Sequence, residues 1–290
     1  MTKKHDRWGW VFVSPFIIGF IVFTAWALGF TLYVAFTDYD LINAPKFVGF
    51  KNFANALSDA NTWISLRNIL FYFAIVTSVG VFMSCILATM LNQKRRGTTF
   101  FRVLYYIPVI TPVVAVTFVW LNIYNPTFGV LNKILALIRI DPLKYVFSDN
   151  VFEAFLSMAV IGIWQSIGST ILYVLGGLQN VSDDVMEAAT IDGANVVTKF
   201  FKITMPLISP TIFFLVIVNL IHSLQAFEKF LVMGKYTTAN ISVPGTLLYK
   251  EVFVNLRIGY GAAIGWIFFA VALALTLFRN YAEKRWVHYV

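Results

Sequence analysis

The sequence predicts an all-α integral membrane protein with six transmembrane helices, and three observations carry that prediction. Hydrophobic residues fill 59% of 290 positions and charged residues only 12%, about half the charged fraction usual in soluble domains. Six charge-free segments approach or exceed the roughly 20 residues that a helix needs to cross a bilayer. Lys and Arg are denser in every second connecting segment, the asymmetry that orients membrane helices.

The segments are 11–36, 68–91, 103–124, 154–178, 207–227 and 260–278, all rich in Phe, Ile, Val and Leu. None alternates with the period of two of a barrel strand. Backbone groups in hydrocarbon must bond within their own segment, so these runs are expected as helices. The first follows Lys3, Lys4 and Arg7 and could imitate a signal peptide, but its uncharged run is too long for that and is expected to stay as an uncleaved span. With the N-terminus inside, the inner segments hold 12 of the 22 Lys and Arg residues, among them the Lys94-Arg95-Arg96 turn. The other 10 are spread over three longer outer loops. A multi-pass membrane protein with both termini cytoplasmic is the expected topology, arranged as a single transmembrane domain over 1–290.

Composition also excludes function classes. The net charge of +8 comes from scattered residues, with no basic run interleaved with aromatics, so a nucleic-acid surface is not expected. Cys85 is the only cysteine and can form neither an intrachain disulfide nor a thiolate metal site. Neither a phosphate-binding Gly-x-x-x-x-Gly-Lys-Ser/Thr loop nor a His-Glu-x-x-His helix is present, so no catalytic residues, no metal site and no cofactor are expected in this chain. The six segments contain no carboxylate, which argues against a membrane-embedded enzyme and against ion-coupled transport.

One connection differs from a plain loop. Over 181–206, Ser182 is a fitting N-cap, and Asp183 and Asp184 put negative charge on the first turn, where the helix dipole favours it. Met186, Ala188 and Ala189 continue a helix that Asp192-Gly193 should end, Gly supplying the positive φ of a helix terminus. A second helix should follow until Pro206. The plain alternative is a surface helix-turn-helix that closes a loop. Small Ala188-Ala189 beside Glu187 instead suits close entry into a partner's groove.

This segment resembles the "EAA" loop of binding-protein-dependent ABC importer permeases, specifically the maltose-type sugar permeases. Glu187-Ala188-Ala189, three positions, Gly193, and then Phe201, Ile203, Pro206 and Pro210 agree with it in type and spacing. Phe47-Val48-Gly49 with Asn52-Phe53, the stretch from Arg102 to Pro108, and Gly129 with Asn132 extend the resemblance over nearly the whole chain. It implies a six-helix type I importer permease whose cytoplasmic coupling helix, with Glu187, Ala188, Ala189, Asp192 and Gly193, docks on an ATPase subunit. It also implies a second homologous permease, two ATPase subunits that bind ATP and Mg, an extracytoplasmic solute-binding protein and a carbohydrate cargo.

Polar residues inside spans are costly and tend to pair or to face an aqueous path. The fourth segment holds Trp164, Gln165 and Ser166 among Gly162, Gly168, Ser169 and Thr170. The fifth holds Asn219, His222, Ser223 and Gln225, followed by Glu228 and Lys229. An aromatic face with amide and hydroxyl groups suits a sugar, so Trp164, Gln165, Ser166, Asn219, His222 and Gln225 are the expected substrate-binding residues. Helix packing through small residues competes as an explanation for the glycines and serines. Glu228 and Lys229 could bind a charged substrate, but an interfacial ion pair is the expected reading. A rival cargo, a phosphorylated polyol such as glycerol 3-phosphate, would want Arg or Lys facing the cavity, and none lies inside the six segments. Pro108 and Pro112 should kink the third span.

Overall fold

The computed structural model describes residues 3–92, 97–141 and 143–286. The Lys94-Arg95-Arg96 turn falls outside them. The regular elements of the described residues are helices save one two-stranded antiparallel ribbon, β1 (Thr37–Asp38) with β2 (Lys46–Phe47), paired Thr37 to Phe47.

In chain order the helices are α1 (Lys3–Gly19), a π-helical turn at Phe20–Ala25, α2 (Trp26–Ala35), α3 (Lys51–Ser58) and α4 (Ala60–Leu91). There follow α5 (Thr98–Ile110), α6 (Val113–Ile123), α7 (Val130–Leu137) and α8 (Val151–Leu178). The remainder are α9 (Asp183–Ile191), α10 (Val196–Lys199), a π turn at Phe200–Thr204, α11 (Met205–Leu207), α12 (Ser209–Leu224), α13 (Glu228–Met233), α14 (Pro244–Tyr249), a π turn at Lys250–Val254 and α15 (Ile258–Trp286).

Among the described residues, four stretches are long and apolar enough to cross a membrane: Gly9–Ala35, Ala60–Leu91, Val151–Leu178 and Ile258–Leu277. Two bent pairs bring the number to six where each is one span, α5 with α6 at 100° and α10–α11 with α12 at 69°. The first bend has a local cause. Thr111 precedes Pro112, and the proline ring drives it out of the α region, to φ −83° and ψ 133°. Pro108, the other expected kink, sits inside α5 without ending it. Helices also outrun their apolar windows. The second begins eight residues before Asn68, and the fourth begins at Val151 because the Asn150 side chain caps the Phe152 N–H at 2.9 Å.

Packing divides the chain into two compact units. The first comprises Met1–Trp63 with Leu247–Val271. In it Phe47 ends β2, and Gly49, at φ +60°, lies in the turn that leads into α3. Asn52 Nδ2 donates to the carbonyls of Ala35 (3.0 Å) and Thr37 (2.8 Å), closing the end of α2. Phe36, Phe50 and Phe53 pack with ring centroids 5.1–6.0 Å apart. Glu251, buried, pairs with Arg257 at 3.1 Å, and Arg257 lies over the Tyr260 ring. The Tyr260 hydroxyl donates to Asp59 at 2.8 Å. Burial pushes the Asp59 carboxyl upward, but the Asn61 N–H, the Tyr260 hydroxyl, the Asn61 amide and the charge of Arg257 together hold it below its ordinary value.

The second unit comprises Ile64–Thr246 with Ala272–Val290, and α8 is its central element. Its core joins Val81, Cys85 and Ala88 of α4 to Ile167, Ile171 and Val174 of α8 and to Leu215 of α12. Between helices in lipid the hydrophobic drive is absent, so close van der Waals contact must hold them together. Glycines on α8 supply it. A β-carbon at Gly168 would stand 2.1 Å from the Tyr105 carbonyl of α5, and one at Gly177 would stand 2.4 Å from Thr211 Oγ1 of α12. Arg102 donates to the Leu91 carbonyl at 3.1 Å and so caps the end of α4. Asn132 exchanges two bonds of 3.0 Å with the Leu143 backbone, which pins the loop after α7.

Candidate functional site: a polar cavity and an exposed helical elbow

Along α8, residues 162, 165, 166, 169, 170 and 173 recur at the three- and four-residue spacing of one helical face. On α12, Asn219, His222 and Ser223 do the same, with Gln225 and Ala226 just beyond its end. The second unit brings the two faces together around a cavity of about 450 Å³, within the range of small-molecule sites. Gln165, Ser166, Asn219, His222 and Gln225, all expected from sequence, line it.

Trp164 does not. It lies off the stripe, 41% exposed, with its ring at 5.8 Å from that of Trp120. Adjacent residues on a helix point about 100° apart, so a face that presents Gln165 to the cavity turns Trp164 away from it.

The polar groups in the cavity differ in what they have left to offer. Ser169 Oγ and Thr170 Oγ1 donate to the Ser166 carbonyl at 2.8 and 3.0 Å, so their protons serve their own helix. Among the described residues, nothing bonds the amides of Gln165, Asn219 and Gln225 or the imidazole of His222. These four remain free to hold a solute by both donor and acceptor contacts.

Two residues missed or misjudged from sequence complete the wall. Tyr72 of α4 lines the cavity from the second segment, where a single tyrosine in an apolar run gives no signal. A β-carbon at Gly162 would lie 2.1 Å from the Tyr72 hydroxyl, so Gly162 makes the room for it. Lys229 also faces the cavity, donates to the Tyr72 hydroxyl, and has its ammonium 4.7 Å from that ring's centroid. The expected Glu228–Lys229 ion pair is therefore not formed: among the described residues the ion pairs are Lys144–Asp149 and Arg257–Glu251. α12 ends at Leu224, and Phe227, at φ −133°, precedes α13, whose first turn carries Lys229 at the cavity. Among the described residues no group of three or more His, Cys, Asp or Glu could hold a metal.

The second candidate is the elbow at α9. Ser182 caps the helix by accepting from the Asp184 N–H at 3.2 Å. At the other end Gly193, φ +77°, donates to Thr190 O (3.1 Å), and Ala194 donates to Ala189 O (2.9 Å). That pair of bonds is the Schellman closure, which needs the left-handed residue. Asn195 then caps α10 through the Thr198 N–H at 2.8 Å. Ala189 is buried, Glu187, Ala188 and Asp192 are exposed, and Ile191 and Val196 are 86% and 82% exposed beside them. The elbow presents an apolar surface flanked by acidic groups.

The profile of a family described as binding-protein-dependent transport system inner membrane component matches residues 80–288. The probable ABC transporter permease protein YesP of Bacillus subtilis (strain 168) is 34% identical over 294 residues, 99% of this chain and 94% of that protein. The sn-glycerol-3-phosphate transport system permease protein UgpA of Rhizobium meliloti (strain 1021) is 33% identical, covering 97% of this chain and 96% of that one. A chain in the crystal structure of a bacterial alginate ABC transporter, in complex with an alginate pentasaccharide-bound periplasmic protein, shares the fold. Its TM-score is 0.81 at 23% identity, over 97% of this chain and 96% of that chain.

Proposed function

As a member of the binding-protein-dependent transport system inner membrane component family, this chain is the membrane-spanning permease subunit of an ABC importer, and we propose that its cargo is a carbohydrate. The observation that carries this reading is the convergence of Gln165, Asn219, His222 and Gln225, all unbonded, on one cavity of about 450 Å³. Sugar hydroxyls need both donors and acceptors, which amides and an imidazole supply together. The glycerol phosphate of the UgpA relatives and the alginate of the structural neighbour are both polyhydroxylated, which supports the same class.

The transporter pairs this chain with a second permease, two ATPase subunits that bind ATP and Mg, and an extracytoplasmic binding protein. Both termini lie in the cytoplasm, and the six spans form one permease domain. Glu187, Ala188 and Ala189 seat the α9 elbow on the ATPase, and Gly193 with Asp192 sets its angle. Nucleotide-driven closure of the ATPases acts through that elbow because the ATP-bound state docks it differently, which shifts the permease pair between inward- and outward-facing populations. The test is uptake of labelled oligosaccharides by the complete complex in proteoliposomes. Uptake that requires both internal ATP and the external binding protein is expected, and transport that needs neither would sink the assignment.

A further inference from the structure

The one cation facing the cavity among the described residues has no charged partner there. Lys229 is half-buried, and no carboxylate lies within ion-pairing distance of it among the described residues. Its contacts are the Tyr72 hydroxyl and the Tyr72 ring. An ammonium carries three donors, so two remain after the tyrosine bond. A charge held partly out of water without a counter-ion is unfavourable unless something else completes it. Glu228 also lines the cavity, but it is exposed, where solvent screens it.

The seat is fixed rather than incidental. Tyr72 can hold the ammonium because Gly162 leaves its hydroxyl room, and Tyr72 packs edge-on against buried Phe230 with ring centroids 5.2 Å apart. Three elements, α4, α8 and α13, therefore converge on one lysine.

We infer that Lys229 is the specificity residue of this cavity and that the cargo is an acidic saccharide, whose carboxylate pairs with the Lys229 ammonium while Gln165, Asn219, His222 and Gln225 hold its hydroxyl groups. This rests on the carbohydrate reading above and narrows it. A carboxylate is favoured over a phosphate by charge. Phosphate brings about −1.5 to −2 and is held by clusters of cations or by Arg forks, whereas one ammonium without an ion-pair partner balances a single negative charge.

The test uses the complete transporter, co-purified through a tag on this chain and reconstituted with its binding protein. Labelled disaccharides are offered in matched pairs, galactobiose with digalacturonate and cellobiose with cellobiuronate, alongside glycerol 3-phosphate. The acidic member of at least one pair should be taken up in preference to its neutral partner. Lys229→Gln should lower that uptake at least about tenfold through KM, with a smaller effect on the neutral partner, and Lys229→Arg should restore most of it. If a neutral sugar is carried best and Lys229→Gln leaves it unaffected, this inference fails while the carbohydrate reading stands. If glycerol 3-phosphate is carried in preference to every saccharide, or no saccharide enters, both fail. The preference within each pair is read on the unmodified protein, so the test holds even if Lys229→Gln does not assemble.

Discussion

The Tyr72 hydroxyl occupies space that a β-carbon on residue 162 would need, the two points being 2.1 Å apart. Tyr72 and Gly162 thus form one fitted contact between α4 and α8 at the wall of the cavity. Gly162→Ala should force the ring aside and unseat Lys229, at an overpacking cost of about 1–3 kcal/mol. Gly80→Ala is the control on the same helix pair, because its β-carbon would meet Ile163 at an ordinary 3.6 Å. A thermal midpoint of the purified complex lowered by Gly162→Ala and unmoved by Gly80→Ala is expected. Equal midpoints for both variants would mean that the tyrosine simply swings away.

Trp164 and Gln165 are neighbours in sequence with opposite surroundings. Gln165→Ala should reduce uptake by roughly 5- to 150-fold, since it removes a group able to bond the cargo. Trp164→Ala removes a ring that lies against Trp120, outside the cavity, and should leave the KM for cargo within about twofold of the parent. Kinetics of uptake on the two variants, normalised to assembled complex, decide between them. A raised KM for Trp164→Ala alone would relocate the site to the other face of α8.

The spans were legible because lipid imposes a simple rule, a long apolar helix, and the rule does not depend on tertiary contacts. Most of the cavity was legible for the same reason: amides inside an apolar run have few uses. Trp164 lies outside the cavity wall because helical period, not residue type, decides which side chains face it. The stripe 162, 165, 166, 169, 170 and 173 is readable by counting, and 164 falls outside it. The 100° break at Thr111–Pro112 was read as a kink, since sequence shows the missing donor of Pro112 but not how far the chain turns. The pairing of Tyr72 with Lys229 was hidden for a different reason. It is a contact across 157 residues of sequence, made possible by the absent side chain at Gly162.

Single cysteines give the topology a direct check. Cys85 is fully buried, so the native chain serves as a silent background. Lys51→Cys and Lys144→Cys, both exposed, should react with an impermeant thiol reagent on intact cells, and Glu187→Cys should react only after the membrane is opened. Labelling of position 187 in intact cells would invert the proposed orientation.

Gly193 separates coupling from cavity. A β-carbon there would meet nothing within 4 Å, so substitution creates no clash, and any effect must come from φ +77°. A β-branched residue in the left-handed region costs about 1–2 kcal/mol, whereas Asn tolerates it far better. Gly193→Val should therefore open the Schellman closure made by the Gly193 and Ala194 N–H groups and change the angle between α9 and α10, while Gly193→Asn should keep both. The spans and cavity are left intact by either change, so both variants should insert and assemble to the parental level. What should differ is transmission. In reconstituted complexes Gly193→Val should abolish the stimulation of ATP hydrolysis by loaded binding protein, and Gly193→Asn should retain most of it. Ala188→Trp, exposed on the same helix, should mimic the valine variant by blocking close docking, with loss of the ATPase subunit on pull-down. If Gly193→Val and Ala188→Trp both hydrolyse ATP in step with loaded binding protein, the elbow is a connector, and the motor must push on the permease somewhere else.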